Sequence, residues 1–161
     1  MKKYIAILLL LLICFSFPHC NKTKYNDSLS CTDIATTLNN DILSTEKYKA
    51  YDESDIRYII DSDSFDSCCI LYSVSSDDIG EVGVLHAKDD KSTDDLLDDI
   101  NDYFEDMKEE KSDFLRNYLP NEFKKIDNSR VKRFGNYVIY TILEPEQAER
   151  VFERAKEILA K

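Results

Sequence analysis

Apolar positions in this chain recur with two periods, and each change of period marks a new element. Cys31, Ile34, Ala35, Leu38 and Ile42 fall at helical spacing behind Ser30 and Asp33, a capping-box start that predicts a first helix over about residues 31–44. A polar stretch from Ser44 to Ser54 leads into Asp55 to Ile60, read as a short helix or turn, and then into an acidic loop from Asp61 to Asp66. Ser67 to Ser75 is rich in β-formers and too short for a helix of its own, so it reads as a strand. Ser76, Asp77 and Asp78 supply turn chemistry, and Gly80 to Lys88 reads as the antiparallel partner. Ser92 with Asp95 caps a long helix whose apolar face runs through Leu97, Ile100, Phe104, Met107, Lys111, Phe114 and Tyr118. That stripe thins between Lys108 and Ser112, a place for a bend, and Pro120 ends the helix before a further turn over Asn121 to Ile126.

A second hairpin follows: Arg130 to Phe134 and Tyr137 to Leu143 are joined by the two-residue loop Gly135-Asn136. Pro145 then stands in the first turn of a last amphipathic helix carrying Ala148, Val151, Phe152, Ala155, Ile158 and Leu159. The expected fold class is α+β, with two antiparallel hairpins forming one sheet packed by a long central helix, an N-terminal helix and a C-terminal helix. The expected arrangement is two layers, with the helices on one face of the sheet.

Ahead of these elements Lys2 and Lys3 precede an apolar run from Ile5 to Phe17, followed by Pro18, His19 and Cys20. In helix that run covers roughly 20 Å against a bilayer core of about 30 Å, too short for a permanent span and suited to an export signal. The organisation expected is a signal peptide over 1–20, a polar tether over 21–29 and a single domain over 30–161. Cys20 resembles the lipidated first residue of a bacterial lipoprotein, although Pro18 and His19 stand where that signal has small residues. Cleavage after Ser16, with Cys14 and Ser16 as the small residues, and an uncleaved short anchor are the alternatives. The expected location is the outer face of the cytoplasmic membrane, lipid-anchored, or free secretion.

Removing the leader leaves about 140 residues, one domain by size. The chain carries a net charge of −11, and the leader holds two lysines and no acid, so the body is more acidic still. Such a charge repels nucleic acid and bare anionic lipid. Cys31, Cys68 and Cys69 remain in the body: Cys31 bridging to Cys68 or Cys69 is one reading, and small apolar residues packed in a core is the other.

The run Glu81-Val82-Gly83-Val84-Leu85-His86-Ala87-Lys88-Asp89 resembles the DUF4358 domain. So do the helix end Asn117-Tyr118-Leu119-Pro120-Asn121-Glu122-Phe123 and the strand Asn136-Tyr137-Val138-Ile139-Tyr140-Thr141-Ile142. The resemblance spans roughly Ser54 to Ala155. It implies a lipid-tethered envelope protein of the kind exported by Gram-positive bacteria, and it lends no catalytic residue.

Reactive constellations are scarce. The 32 acids cluster at Asp52, Glu53 and Asp55, at Asp61, Asp63 and Asp66, and along the long helix. A calcium loop would need a glycine at its turn, where Phe65 follows Asp63 and Ser64 instead, and the helical acids lie mainly opposite the apolar stripe. His86 is the one histidine outside the leader. If the first hairpin pairs residues summing to 155, Cys69 lies opposite His86, and a thiol beside an imidazole can be an activated nucleophile. The rival reading is a packed cysteine near a strand-end histidine. With three glycines in all, the chain has no phosphate-cradling loop, and it lacks Gly-x-Ser-x-Gly. Lys124, Lys125, Arg130, Lys132 and Arg133 form one basic cluster, suited to an acidic envelope protein or anionic wall polymer, or else to shielding an edge strand or facing the acidic helix. Most of the ten tyrosines, Tyr72, Tyr103, Tyr118, Tyr137 and Tyr140 among them, read as half-buried packing residues. The function expected is a non-enzymatic binding or envelope-interaction module needing no cofactor, metal or catalytic residue. A thiol-dependent enzyme using Cys69 and His86, or a calcium-stabilised domain, is the alternative.

Overall fold

The computed structural model describes residues 25–160 except 53, 54, 57, 58, 61 and 62. The leader with Cys20, the start of the tether, Asp61 and part of the Asp55 to Ile60 segment lie outside the described residues. The elements are α1 (Cys31–Asp41), β1 (Tyr48–Ala50), β2 (Phe65–Ser73), β3 (Glu81–Ala87), α2 (Asp90–Tyr118), α3 (Pro120–Asp127), β4 (Arg130–Phe134), β5 (Tyr137–Ile142) and α4 (Pro145–Leu159). The five strands make one antiparallel sheet in the order β1-β2-β3-β5-β4, and the fold is α+β as expected.

The layering differs from the expectation. Strand parity sends Cys69, Leu71, Val82, Val84, Tyr137 and Ile139 into one core with α1 and α4. Ile70, Leu85, Ala87, Val138, Tyr140 and Ile142 go into a second core with α2 and α3. Helices therefore cover both faces, in three layers rather than two. The cause is legible in β5, where all six positions are buried: a strand wet on one side would alternate, and this one does not.

Local chemistry sets the element ends. Ser30 Oγ accepts from the Asp33 amide at 3.0 Å and starts α1 as its spacing predicts. The long helix begins earlier than expected, because Asp89 and not Ser92 is its cap: Asp89 Oδ1 accepts from the Ser92 amide at 2.7 Å. It runs unbroken through Lys108 to Ser112. Its buried face is Leu96, Ile100, Phe104, Met107 and Leu115, so Phe114 and Tyr118 are not on it and stand 57% and 72% exposed. The short strand β1 falls in the polar stretch from Ser44 to Ser54, to which residue order assigns no element.

The segment read as a tether is docked from Tyr25 onward. Tyr25 bridges to Ala160, the Asn26 amide donates to the Leu159 carbonyl at 2.7 Å, and the Tyr137 hydroxyl donates to the Leu29 carbonyl at 2.5 Å. The Tyr25 ring meets Phe134 edge-on at 5.7 Å.

Candidate functional site

Glu81 opens β3 and, although a carboxylic acid, is only 5% exposed. Strand parity aims it at α2. There the Tyr103 hydroxyl donates to its Oε1 at 3.0 Å and the Tyr140 hydroxyl, from β5, donates to the same oxygen at 2.6 Å. Burial pushes this carboxyl above its ordinary value, against the two hydroxyls and Lys111, which favour the ionised form. Burial beside Glu81 likewise raises both phenols, so Tyr103 and Tyr140 stay protonated donors. Tyr140 reaches this position because Gly83 has no side chain: a Cβ there would sit 1.9 Å from the Tyr140 ring. Phe104 packs edge-on against the same ring at 5.8 Å.

A cavity of about 370 Å³ opens beside Glu81, between α2 and the β1 end of the sheet. Tyr51 and Tyr72 line it, stacked at 4.2 Å between centroids, as does Tyr103. Burial and then the nearby Glu81 charge push the Tyr51 phenol up to about 12. Asp106, Glu110 and Lys111, all exposed on α2, form the rim. The floor is held by an ionic clamp in which Lys125 of α3 meets Asp78 at 2.7 Å and Glu122 at 2.8 Å, while Glu122 also accepts from the Ile79 amide at 3.0 Å. Burial works against the Asp78 charge, but Lys125 and the Gly80 amide outweigh it and hold the carboxyl below its usual range.

The residues singled out from sequence lie elsewhere. The hairpin register pairs Cys69 with Val84 and His86 with Ser67, so Cys69 and His86 are not opposite one another as the assumed register had them. A bulge between Phe65 and Ser67 leaves that strand end irregular. Cys69 is buried in the core with α1, and burial raises its thiol pKa despite a hydrogen bond with Thr32. Cys31 sits in the same core, its thiol pushed by burial up to about 11. Both match the reading of cysteines as core residues.

His86 instead joins two carboxylates. Its Nδ1 lies 2.9 Å from Asp66 Oδ1 and its Nε2 lies 3.1 Å from Asp27 Oδ1, with the Tyr137 ring edge-on at 4.7 Å. Burial disfavours the imidazolium, but the two carboxylates outweigh it and hold the pKa above the ordinary 6.5. Asp27 also accepts from Asn136 Nδ2 at 3.0 Å, so this histidine latches the N-terminal segment to the second hairpin.

Among the described residues no group of three or more His, Cys, Asp or Glu side chains converges as metal ligands would, and no helix is long and apolar enough to cross a membrane. Four of the five residues of the basic cluster pair within the molecule, and the fifth, Lys124, is exposed. Arg130 and Lys132 of the edge strand β4 meet Glu149 at 3.3 and 3.1 Å, Arg133 meets Asp90 and, at 2.8 Å, Asp94, and Lys125 is in the clamp. Tyr137 and Tyr140 are core residues and Tyr72 and Tyr103 are half-buried, whereas Tyr118 is exposed.

Residue order places Glu81 inside the strand Gly80 to Lys88 and assigns it no role. Its signal was an acid leading directly into Val82-Gly83-Val84-Leu85, a run with no second polar residue to share a wet face. Its partners lie 22 and 59 residues away, beyond the reach of local pattern.

Compared with known proteins, the chain matches the family model described as a domain of unknown function, DUF4358, over residues 41–143. That span starts earlier than the resemblance read from the motifs and ends before α4. No curated protein and no solved structure matches the chain.

Proposed function

Because the chain belongs to the DUF4358 family, domains of unknown function, we propose from its leader an exported, membrane-tethered protein and from its geometry a binding module whose ligand site is the cavity beside Glu81. The observation that carries the reading is an ionisable carboxyl kept in the core at the wall of a cavity. An apolar side chain at that position would stabilise the fold, and burying an acid works against it. Such a cost fits a group that serves a ligand. The binding reading over an enzymatic one is supported by Cys69, whose thiolate is disfavoured by burial, and by His86, which is engaged by two carboxylates. Export and the tether rest on Lys2, Lys3, the apolar run and Cys20.

Two measurements test it. The intact mass of the membrane-extracted protein is expected to show a lipid adduct on Cys20, and a polypeptide starting at Phe17 would sink the tether. Amide chemical shifts recorded against small probes carrying amine, carboxylate, hydroxyl or ring groups are expected to move at Glu81, Gly83 and Tyr103. Shifts confined to other parts of the molecule would remove the cavity as the site.

A further inference from the structure

We propose that the cavity takes an organic ammonium group, with the Glu81 carboxylate as its counter-charge and Tyr51 and Tyr72 as its aromatic wall, an inference that rests on the cavity being a binding site. Three independent features converge on that chemistry. The cavity wall carries a carboxyl that burial strips of water, and the hydrogen bonds it receives from Tyr103 and Tyr140 both fall on one oxygen, Oε1. An entering cation supplies the charge that water no longer does, whereas a neutral guest leaves the carboxyl uncompensated and an anion opposes it.

The wall beside the carboxyl is aromatic rather than aliphatic. Tyr51 and Tyr72 stack at 4.2 Å and both line the space, and tyrosine rings attract a cation through their negative faces. The rim adds Asp106 and Glu110 against the single base Lys111, so the approach is acidic. Asp78 contributes little, because Lys125 already neutralises it at 2.7 Å.

An inorganic divalent ion fits less well. Two tyrosine hydroxyls occupy one oxygen of the buried acid, and among the described residues no three metal-ligating groups meet. Rings lining the space are of no use to a hard cation, which wants oxygen. At about 370 Å³ the space is at the small end for organic ligands and suits an amine with a short carbon frame.

The experiment titrates butylammonium, butanol and butyrate into the full-chain protein in a non-ionic detergent, following the amides of Glu81, Gly83 and Tyr103. Butylammonium is expected to saturate these shifts with an affinity at least about tenfold above that of butanol, and Glu81→Gln to abolish that preference while the amide spectrum stays native. Tyr72→Leu keeps the carboxylate and removes one ring, and is expected to weaken butylammonium about fivefold. Butanol or butyrate binding as tightly as butylammonium would overturn the cation reading and leave the cavity a binding site. Full affinity in both variants would also overturn it. If none of the three probes moves these amides, both this inference and the binding reading fall.

Discussion

Glu81 and Gly83 sit two positions apart on one strand face and carry opposite kinds of constraint. Glu81 binds its proton more tightly in the folded chain than at its ordinary value of 4.5. The native state therefore holds more protons than the unfolded state between those two values, and stability falls as pH rises from about 4.5 through the raised one. The groups facing it are Tyr103 and Lys111 from α2, Tyr140 from β5 and Tyr51 beyond β1, and burial raises all three phenols, which stay protonated. Glu81→Gln keeps an acceptor for both hydroxyls and cannot ionise. Its urea midpoint is expected above that of the parent at neutral pH, with the difference closing toward pH 4.5; a variant less stable at neutral pH would refute the sign. Gly83→Ala acts through space instead, driving a methyl into the Tyr140 ring, and is expected to cost about 3 kcal/mol in urea denaturation. Gly135→Ala meets no such clash. It carries only the penalty of φ +67, about 1 kcal/mol. None of this is visible in residue order alone, because a strand pattern does not say that a tyrosine from β5 will lie flat across a glycine of β3.

Element by element, the sequence is readable where one period runs long enough to count and fails where it does not. The Gly135-Asn136 hairpin, α1 and α4 appear at their expected places because turn chemistry and apolar spacing agree there. Strand β1 is three residues with one buried position, too short to alternate. On α2 a seven-residue step from Met107 reaches Phe114, but a helix of 3.6 residues per turn drifts about 20° in that step. That drift is small, and Leu96, five full turns before Phe114 and at the same angular position, is buried, so what packs along α2 and not the period puts Leu115 on the buried face and Phe114 off it. Two substitutions separate the readings: Leu115→Ala is expected to cost about 3 kcal/mol, and Tyr118→Ser to stay within about 0.5 kcal/mol of the parent. The latch at His86 belongs to this scale too. The histidine pKa is raised in the fold, so its contribution is full below 6.5 and is lost as pH rises through the folded value. After correction for intrinsic exchange, protection of the Asn26 amide, which donates to Leu159, should decline across that window. In Asp27→Asn the decline should be much weaker, since one of the two carboxylates that raise the pKa is gone. Equal pH dependence in parent and variant would mean the segment is held by Tyr25 and Leu29 alone.

The whole molecule is larger than the family match. Residues 41–143 contain all five strands, α2, α3 and the cavity beside Glu81, so the proposed site lies inside the shared domain. The helices over the opposite face do not. Apart from Asp41, α1 precedes that span and α4 follows it, yet Ile34, Leu38, Val151 and Phe152 from these two helices are what cover Val82, Val84 and Ile139. A five-stranded sheet with one apolar face bare to water exposes a patch far beyond what a soluble domain carries. The docked N-terminal segment then joins the same layer through Asn26 and Leu159, placing Tyr25 only five residues after Cys20. Fully extended, that gap spans at most about 17 Å, so a lipid on Cys20 would hold the acidic body against the membrane surface rather than at the end of a long leash. A fragment of residues 41–143 is accordingly expected to lack a cooperative thermal transition and to bind a dye for exposed apolar surface, while residues 25–160 melt as one unit. A sharp, native-like transition in the shorter fragment would show that α1 and α4 are additions to a sheet already stable on its α2 side, and that the core they form does not hold the site in place.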